Sequence, residues 1–340
     1  KGKTINNPDA GRVELKKLPE IPYSLVDINK YNRTGWDEKI FSMQTSRGCP
    51  HRCGFCFSPS FNGKYWVGED PKAVVRNIKT IMKRFKPDYI YFIDNDFFVD
   101  LDRAKKIFEM IKKEKLDVVF GQRGVRVDEI DRMDDGMLKL MEDINTRELH
   151  IGAESGSQRI LDIMEKGIKV EQTIRVNRKL KRFPKLLPLY NFFGGLPTER
   201  YEDIKKTTDL MLKILKDNPR AQVQSFSHFT PYPGTALFEL AKKHGFNEPK
   251  RLEDWIHLDQ GESAKLLPWI SKKRKRLLDM LYFTSFFIDK KMHHMNSDRL
   301  GFRAYRLITD IYRPIARLRF RYHITALPVE VKLKDMYFRW

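Results

Sequence analysis

Apolar and polar positions alternate along the middle of the chain with two periods, one typical of helices and one typical of buried strands. Residues 71–85 place apolar side chains three or four positions apart, as an amphipathic helix does. Residues 88–94 (DYIYFID) form a continuous apolar run, as do parallel strands that are covered on both faces. The six predicted strands span residues 41–46, 88–94, 118–123, 148–153, 187–195 and 222–229. The predicted helices between and after them span residues 71–85, 101–114, 128–144, 157–166 and 202–216.

Strands and helices in this order predict an α/β fold with a parallel sheet and right-handed crossovers. Six strands are two fewer than the eight that close a TIM barrel. We therefore expect a partial (β/α)6 TIM-like barrel, whose open side leaves room for a large substrate. Residues 41–250 are assigned to this barrel, and the Pro-punctuated residues 1–40 to a linker. Residues 251–340 are assigned to a helical, basic C-terminal extension.

The C-terminal extension has its own helical periodicity over residues 270–323. An apolar stripe runs along it, and most of its arginines fall off that stripe. Pro314 lies within this segment and predicts a kink or a break, because proline has no N–H to continue a helix. The stripe consists of Leu300, Ala304, Leu307, Ile308, Ile311, Ile315 and Leu318.

Composition narrows the class of protein. The 340 residues are 41% hydrophobic and 12% aromatic, which excludes a disordered chain, a collagen and a disulfide mini-protein. The longest dense apolar stretch, residues 281–288, is far shorter than the roughly 20 residues of a membrane span. The first residues are polar and show no signal peptide, so a cytoplasmic location is expected. The chain lacks an initiating Met, which leaves open that it is a fragment of a longer protein.

The net charge of +20 is distributed unevenly. Residues 271–340 contain 17 Lys and Arg against 6 Asp and Glu, so this segment carries +11. A basic segment suggests an anionic partner such as nucleic acid, lipid headgroups or an acidic substrate, although a solvated surface explains the charge equally well. Nucleic acid is not expected, because the chain has no recognisable nucleic-acid-binding module. An anionic or lipid-like substrate and peripheral contact with a membrane both stay open.

Three cysteines lie within eight residues, at Cys49, Cys53 and Cys56. An odd, clustered set indicates metal chemistry in a reducing compartment and not a disulfide framework. This spacing lets three thiolates converge on one centre, and on a [4Fe–4S] cluster they leave one iron without a protein ligand. The alternative is a zinc site that adds His51. The position of His51 between two of the cysteines makes joint coordination of one ion cramped.

Polar, Gly or Pro residues follow all six predicted strands. Chemistry in parallel barrels collects at the C-terminal ends of the strands, so this edge is the predicted site. Besides the cysteine loop, the candidates at the edge are Asp94, Asp96, Arg123, Arg126, Glu154, Ser155, Gly194, Gly195 and Tyr232.

The sequence CPHRCGFC, on the loop after the first predicted strand, resembles the signature of radical S-adenosylmethionine (SAM) enzymes. The aromatic Phe55 before the last cysteine fits the same signature. In that family the three cysteines hold a [4Fe–4S] cluster whose open iron binds the amino and carboxylate groups of SAM. The reduced cluster cleaves SAM to a 5′-deoxyadenosyl radical. The resemblance therefore implies the cluster, SAM, and a reductant such as ferredoxin or flavodoxin.

Five motifs in order resemble the cobalamin-binding radical SAM subfamily, which includes anaerobic magnesium-protoporphyrin monomethyl ester cyclase and class B methyltransferases. The resemblance runs from about residue 12 to 260. The Asp-x-His-x-x-Gly motif of the N-terminal cobalamin domain is not present in this chain, although residues 12–32 resemble the linker that follows that domain. Cobalamin is therefore expected only through a domain absent from this chain. The motifs are TSRGCPHRCGFC, IDNDFF, IGAESGSQRILDIMEKGI, FFGGLPTE and TPYPGTALFELAKKHG.

The resemblance gives SAM-binding roles to acidic residues at two strand ends. Glu154 and Ser155 would hydrogen-bond the ribose or the amino end of SAM, since a carboxylate accepts from vicinal hydroxyls. Asp94 and Asp96 would face the SAM ammonium group. The structural alternatives are a helix start at Glu154 and an Asx turn at the two aspartates.

The other candidates carry weaker signals. Arg123 or Arg126 would pair with the SAM carboxylate, with an ordinary surface arginine as the alternative. Gly194 and Gly195 would let backbone approach adenine or substrate, or simply form a tight turn. Tyr232 would line the substrate mouth, or pack a Pro-flanked turn. No catalytic side chain is assigned.

Three functions compete at this point. The first is a radical SAM enzyme that transfers a methyl group from cobalamin to an unactivated carbon. The second is radical oxidation or cyclisation of a tetrapyrrole-like or lipid-like substrate. The third, from another class, is an iron–sulfur or zinc module without catalysis.

Overall fold

Eight strands form two sheets in the described part of the chain. The computed structural model describes residues 14, 15, 18, 22–25, 27, 39–258, 267–294 and 300–326, so most of the predicted linker 1–40 and parts of the extension lie outside the described residues. The strands are β1 (Ile40–Met43), β2 (Ser46–Gly48), β3 (Trp66–Gly68), β4 (Tyr89–Phe92), β5 (Val119–Arg126), β6 (Thr146–Glu154), β7 (Leu187–Gly194) and β8 (Gln222–His228).

Six of these strands form a parallel sheet in the order β1-β4-β5-β6-β7-β8. The order follows the chain, and β1 and β8 stay at opposite edges of the sheet. The predicted α/β fold, an unclosed (β/α)6 arrangement, is therefore confirmed. The remaining two strands, β2 and β3, form an antiparallel pair that the sequence pattern did not predict.

Eleven α-helices surround the sheet within the described residues. They are α1 (Ser58–Asn62), α2 (Pro71–Phe85), α3 (Leu101–Lys113), α4 (Val127–Arg132), α5 (Asp135–Asp143), α6 (Gln158–Ile163), α7 (Val170–Leu180), α8 (Tyr201–Asp217), α9 (Ala236–Lys243), α10 (Lys272–Thr284) and α11 (Leu300–Tyr322). Short 3₁₀ helices span Tyr23–Leu25, Leu252–His257 and Lys291–His294.

The single helix predicted over residues 128–144 is two helices, α4 and α5. The division falls at Met133 and Asp134, where the backbone is extended, and Asp134 accepts a hydrogen bond from the N–H of Met137 at 2.7 Å. A new N-cap inside the apolar pattern therefore starts a second helix. Helices α7 and α9 lie in segments for which no helix was predicted.

The outer face of the sheet is apolar and aromatic. Phe92 on β4 stacks with Phe97 and with Phe120 on β5, at ring-centroid distances of 5.0 and 5.6 Å. Phe97 in turn stacks on Phe108 of α3 at 5.7 Å. These rings are fully buried, so they pack α3 against this part of the sheet.

The inner face of the sheet is polar. The Tyr91 hydroxyl donates to Glu148 at 3.2 Å, and His150 Nδ1 lies 3.0 Å from Gln224 Oε1. Gly121 is required beside them, because a Cβ there would lie 2.2 Å from the Tyr89 hydroxyl oxygen. A polar interior of this kind suits a binding chamber better than a packed barrel core.

The C-terminal helices pack against one edge of the sheet and against each other. Helix α10 covers β8, and α11 lies against α8 and α10. Helix α11 continues through Pro314, so the helix does not break there, and the alternative of a kink stays a prediction. No helix in the described ranges is both long enough and apolar enough to cross a membrane.

An ion pair between a buried carboxylate and a partly exposed arginine fastens α8 to the start of α6. Asp203 accepts from the Ser157 hydroxyl at 2.6 Å and pairs with Arg159. Ser157 sits at the predicted N-cap of α6, but its hydroxyl serves Asp203 and not its own helix. Burial alone would raise the pKa of Asp203, but these donors lower it to about 2.

We predict that Asp203→Asn lowers the free energy of unfolding by about 1–2 kcal/mol at pH 7. Because the pKa of Asp203 is lower in the folded than in the unfolded chain, its ionised form stabilises the folded state. This stabilisation is fully present above the unfolded pKa of 3.8 and is lost as the pH falls through about 2. The difference from the parent protein should therefore shrink below a pH of about 4 in urea titrations. Asp209→Asn, on the half-exposed side of the same helix, is the control and should change little. Equal stability of Asp203→Asn and the parent at pH 7 would contradict the role of this pair.

Candidate functional site

The cysteine loop lies between β2 and α1 and is fixed by backbone hydrogen bonds on both sides. The Gly54 N–H donates to the carbonyl of Met164, after α6, at 2.7 Å. The Gly54 carbonyl accepts from the N–H of Leu237, in the first turn of α9, at 2.8 Å. All three cysteines are free thiols. The loop is therefore held at the edge formed by the C-terminal ends of the strands.

Two buried cations stand beside Cys53. The Arg126 Nη1 atom lies 3.4 Å from the Cys53 sulfur, and its Nη2 donates to the carbonyl of Lys166 at 2.7 Å. The Lys166 ammonium pairs with Glu154 Oε1 at 2.7 Å. Burial alone would lower the pKa of Lys166, but the charge of Glu154 raises it overall, so the lysine is positively charged.

Cys49 faces a different environment, made of His51, Asp96 and Glu129. Asp96 Oδ2 lies 3.6 Å from the Cys49 sulfur and 3.3 Å from His51 Nε2, which is 3.9 Å from Glu129 Oε1. Burial raises the pKa of Glu129 to about 8. Burial alone would lower the pKa of His51, but its contacts with Asp96 and Glu129 raise it overall.

Ligand atoms of Cys49, His51 and Asp96 all lie within 4.8 Å of one another. This group does not include Cys53 or Cys56, so the expectation that His51 is too cramped to coordinate one ion jointly with the cysteines stays a prediction. A mixed Cys, His and Asp site for a divalent ion is the geometric alternative to a cluster held by three cysteines.

The donor set nevertheless fits an iron–sulfur cluster. Burial raises the pKa of Cys49 to about 12 and also raises that of Cys56, so thiolates there need a positive neighbour. Arg126 and Lys166 supply fixed positive charge on one side of the loop. The Ser58 N–H lies 3.4 Å from the Cys56 sulfur, an additional donor of the type that tunes cluster sulfurs.

A cavity of about 370 Å³ opens next to this loop. Irregular strand pairing shapes its walls, with register shifts at Arg123–Gly124 in β5, at Ala153 in β6, and in β8 opposite Asn191. Bulges redirect side chains, and here Arg123, Glu154 and Asn191 line the space. The full lining is Phe55, Arg123, Glu154, Asn191, Phe192, Phe193, Gln224, Ser225, Ser227, His228, Phe229, Thr230 and Tyr232.

Four of the candidate residues line this cavity: Phe55, Arg123, Glu154 and Tyr232. Phe55 packs edge-on against Phe193 at 5.0 Å. Glu154 has a positive φ of 61°, an uncommon conformation for a residue with a side chain. Such backbone strain clusters at functional sites, and it occurs here where the carboxylate meets the cavity.

The other candidates lie outside the cavity wall and have structural partners. Asp94 Oδ1 accepts from the Thr45 N–H and hydroxyl at 3.0 Å, which fastens the end of β4 to the segment after β1. The Ser155 hydroxyl pairs with Thr207 of α8 at 3.0 Å. Asp96 and Arg126 lie beside the cysteines, as described above. Arg126 belongs to β5 itself, since the bulge extends that strand beyond the predicted end.

The glycine pair forms a turn that is fixed from the C-terminal side. The Gly195 N–H donates to Glu199 at 2.7 Å, and its carbonyl accepts from the Trp269 indole at 3.0 Å. Gly195 has a φ of +93°, which favours glycine. Glu199 is buried and pairs with Arg274 of α10 at 2.7 Å, and burial raises its pKa to about 7.

Sequence reasoning missed Lys166, Glu129 and Glu199. Lys166 and Glu199 stand inside two of the quoted motifs, so their positions were visible, but a lysine or glutamate in a motif does not reveal its partner. Glu129 follows Arg126 by three positions and accepts from its N–H at 3.2 Å. That spacing, typical of a helix N-terminus, was the available signal.

The sequence profile of the radical SAM superfamily matches residues 43–211, the segment that carries the cysteine loop and the strands up to β7. The chain therefore contains a radical SAM domain and belongs to the radical SAM superfamily. The resemblance seen in the cysteine motif is confirmed.

Two curated relatives and one solved structure illustrate the likeness. The uncharacterized methyltransferase PH0819 of Pyrococcus horikoshii is 29% identical over 92% of this chain and 65% of its own length. The anaerobic magnesium-protoporphyrin IX monomethyl ester cyclase of Rubrivivax gelatinosus is 26% identical over 70% of this chain and 41% of its own. This chain thus spans about two thirds of the first relative and less than half of the second.

The solved structure is that of OxsB, a cobalamin-dependent S-adenosylmethionine radical enzyme with aqua-cobalamin bound. It matches with a TM-score of 0.58 and 17% identity, over 87% of this chain and 49% of OxsB. This likeness concerns the fold.

We predict that Lys166→Met destabilises the protein by about 3–5 kcal/mol, because it leaves Glu154 as an unpaired buried charge. The double variant Lys166→Met/Glu154→Gln should recover most of that loss, since no isolated charge remains. Urea unfolding of the metal-free chain measures both changes. A double variant as unstable as the single one would show that the lysine acts through packing and not through its charge.

Proposed function

We propose that this chain is the catalytic part of a radical SAM enzyme that methylates an unactivated carbon with the help of cobalamin. The observation that carries the proposal is the set of three free thiols beside Arg126 and Lys166, at the edge of a sheet that belongs to a radical SAM domain. The length of the relatives supports the view that further parts of the protein take part.

Cys49, Cys53 and Cys56 would hold the [4Fe–4S] cluster. When bound, the cluster supplies the electron that breaks a carbon–sulfur bond of SAM and gives a 5′-deoxyadenosyl radical; a ferredoxin or flavodoxin would deliver that electron. The protein's own contribution is electrostatic. Arg126 and Lys166 offset the negative charge of the thiolates, and the fixed loop keeps the three sulfurs at one edge of the sheet.

SAM would occupy the part of the cavity between Phe55 and Glu154. The Glu154 carboxylate is oriented by Lys166 and can accept from ribose hydroxyls. Asp96 has one buried oxygen, Oδ1, with no partner among the described residues, and it is suited to the SAM ammonium group. Arg123, whose guanidinium lies 5.4 Å from the Tyr91 ring centroid, can pair with a carboxylate of SAM or with an anionic substrate.

The substrate would enter the chamber past Tyr232 and meet the polar inner face of the sheet. Asn191, Gln224, Ser225 and Ser227 offer hydrogen bonds on that side. The net reaction would replace a substrate C–H bond by C–CH₃ and use two SAM molecules and two electrons from the reductant. One SAM would leave as methionine and 5′-deoxyadenosine, which carries the substrate hydrogen. The other would give its methyl group by way of cobalamin, held by a further domain, and leave as S-adenosylhomocysteine. The relative described as a methyltransferase supports this reaction over oxidation or cyclisation.

We predict that anaerobically reconstituted protein binds about four irons and four sulfides, and that Cys49→Ala, Cys53→Ala and Cys56→Ala each abolish this binding. His51→Ala is the matched comparison, because it belongs only to the alternative Cys–His–Asp site. It should keep the full iron content. Loss of metal from His51→Ala together with full metal binding by Cys56→Ala would establish that alternative site instead.

The methyl transfer is tested with methyl-labelled SAM, a strong reductant and cobalamin, supplied to the full-length gene product. We expect 5′-deoxyadenosine and a labelled product, and Glu154→Ala should weaken SAM binding while the cluster absorbance stays. A product that is oxidised and unlabelled would assign the radical to oxidation or cyclisation. Production of no 5′-deoxyadenosine by cluster-loaded protein would reject the enzyme proposal altogether.

A further inference from the structure

Most of the large apolar side chains described in helix α11 face solvent, although a helix that packs on a protein usually turns such side chains toward it. Its solvent side shows a row of large apolar residues that are 52–68% exposed: Leu307, Ile308, Ile311, Ile315, Leu318 and Tyr322. Its protein side buries mainly Thr309, Ala316 and Phe320. Among the described side chains of the predicted stripe, the five from Leu307 to Leu318 therefore share a face, and that face points outward. An exposed apolar row of this length marks an interaction surface.

Polar contacts hold the helix on the protein. Arg313 Nε donates to the carbonyl of Asp289 at 2.9 Å, and Arg317 Nε donates to the carbonyl of Ile288 at 2.7 Å. Phe320, fully buried, adds an apolar anchor. The outward orientation of the stripe is thus fixed by specific hydrogen bonds on the opposite flank.

The charges around the stripe are of one sign. Helix α11 contains six arginines and a single acidic residue, Asp310, which is already paired with Arg313 and with His293. Arg303, Arg317 and Arg321 are exposed. A second copy of the chain would bring arginines against arginines across an apolar contact, which opposes self-association. A partner surface that is apolar inside and anionic outside meets both features.

We propose that α11 docks the protein on an anionic lipid bilayer, with the apolar row inserted among the acyl chains and the arginines at the headgroups. An amphipathic helix with a basic polar border binds membranes in this way. The row from Leu307 to Tyr322 spans about 22 Å, so the helix would lie along the surface. Tyr322 at its end is suited to the interface, where one side of the ring is apolar and the other wet.

The docked orientation has a consequence for the catalytic edge. His323, at the C-terminal end of α11, lies 3.0 Å from the hydroxyl of Tyr201 and 3.0 Å from that of Thr208. Tyr201 opens α8, directly after the turn that follows β7. Binding along α11 would therefore hold the edge of the sheet that carries the cavity near the membrane surface.

Sedimentation of the full chain with vesicles tests the proposal. We expect binding to vesicles that contain phosphatidylglycerol, and much weaker binding to pure phosphatidylcholine. Ile311→Glu/Leu318→Glu should weaken the binding about tenfold or more, because it puts charges into the inserted row. Arg303→Gln/Arg321→Gln should reduce the preference for anionic vesicles roughly fivefold per arginine. Leu252→Glu/Ile256→Glu is the matched control, since Leu252 is 83% and Ile256 73% exposed, outside α11.

Three outcomes would overturn the proposal. They are no vesicle binding by the parent chain, equal binding by the α11 glutamate variant, and a parent dimer that the same variant converts to a monomer. The last outcome would assign the face to a second copy of the chain. All substituted residues are exposed, so far-ultraviolet circular dichroism should show an unchanged fold. The assay requires no cluster, SAM or reductant, so its result is independent of the proposed catalysis.

Discussion

The buried positive charge beside the cysteine loop is the interaction on which the site depends. Arg126 connects the end of β5 to the Cys53 sulfur and to the backbone of Lys166, and Lys166 connects onward to Glu154 at the end of β6. Removing ionic groups from water is costly, and the attraction between them repays that cost only when the geometry is good. This network therefore constrains four segments at once: the cysteine loop, the ends of β5 and β6, and the segment after α6.

Negatively charged thiolates at the three cysteines would change the charge balance around Arg126 and Lys166. In the chain alone, burial raises the pKa of the Cys49 and Cys56 thiols, while Arg126 and Lys166 pair with Asp128 and Glu154. Thiolates bound to metal would give the same cations further partners at short range. The pocket is thus better matched electrostatically with an anionic cluster in place than without one.

The parallel sheet separates two kinds of chemistry on its two faces. The outer face holds the stacked phenylalanines of β4 and β5. These buried rings pack against the covering helix and restrict its movement relative to the sheet. The inner face holds tyrosine, histidine and carboxylate groups, among which Tyr91 donates to Glu148. Bulges at the level of the cavity redirect Arg123 and Glu154. Regular strand pairing makes the sheet rigid, and its local interruptions shape the binding space.

On the C-terminal side, α10 reaches the glycine turn through Arg274 and Glu199, so the extension takes part in shaping the site.

The sequence by itself predicted the fold class, which the structure confirms, and the position of the proposed metal centre. The alternation of apolar runs with helical periods predicted six parallel strands. Both patterns can be recognised in short segments of sequence, whatever the packing of those segments in the folded protein. The three cysteines predicted a metal centre, because their spacing lets three thiolates converge on one site. Tertiary structure decided which polar residues meet. Asp94 and Ser155 stand in the expected loops, yet Thr45 and Thr207, distant in the chain, engage them. Lys166 and Glu129 meet their partners through strand bulges and helix placement.

The stripe on α11 was visible as a pattern, but periodicity only shows that apolar residues share a face. Which side of the helix the protein covers depends on the Arg313 and Arg317 hydrogen bonds to a distant backbone, and such contacts leave no local signal in the sequence.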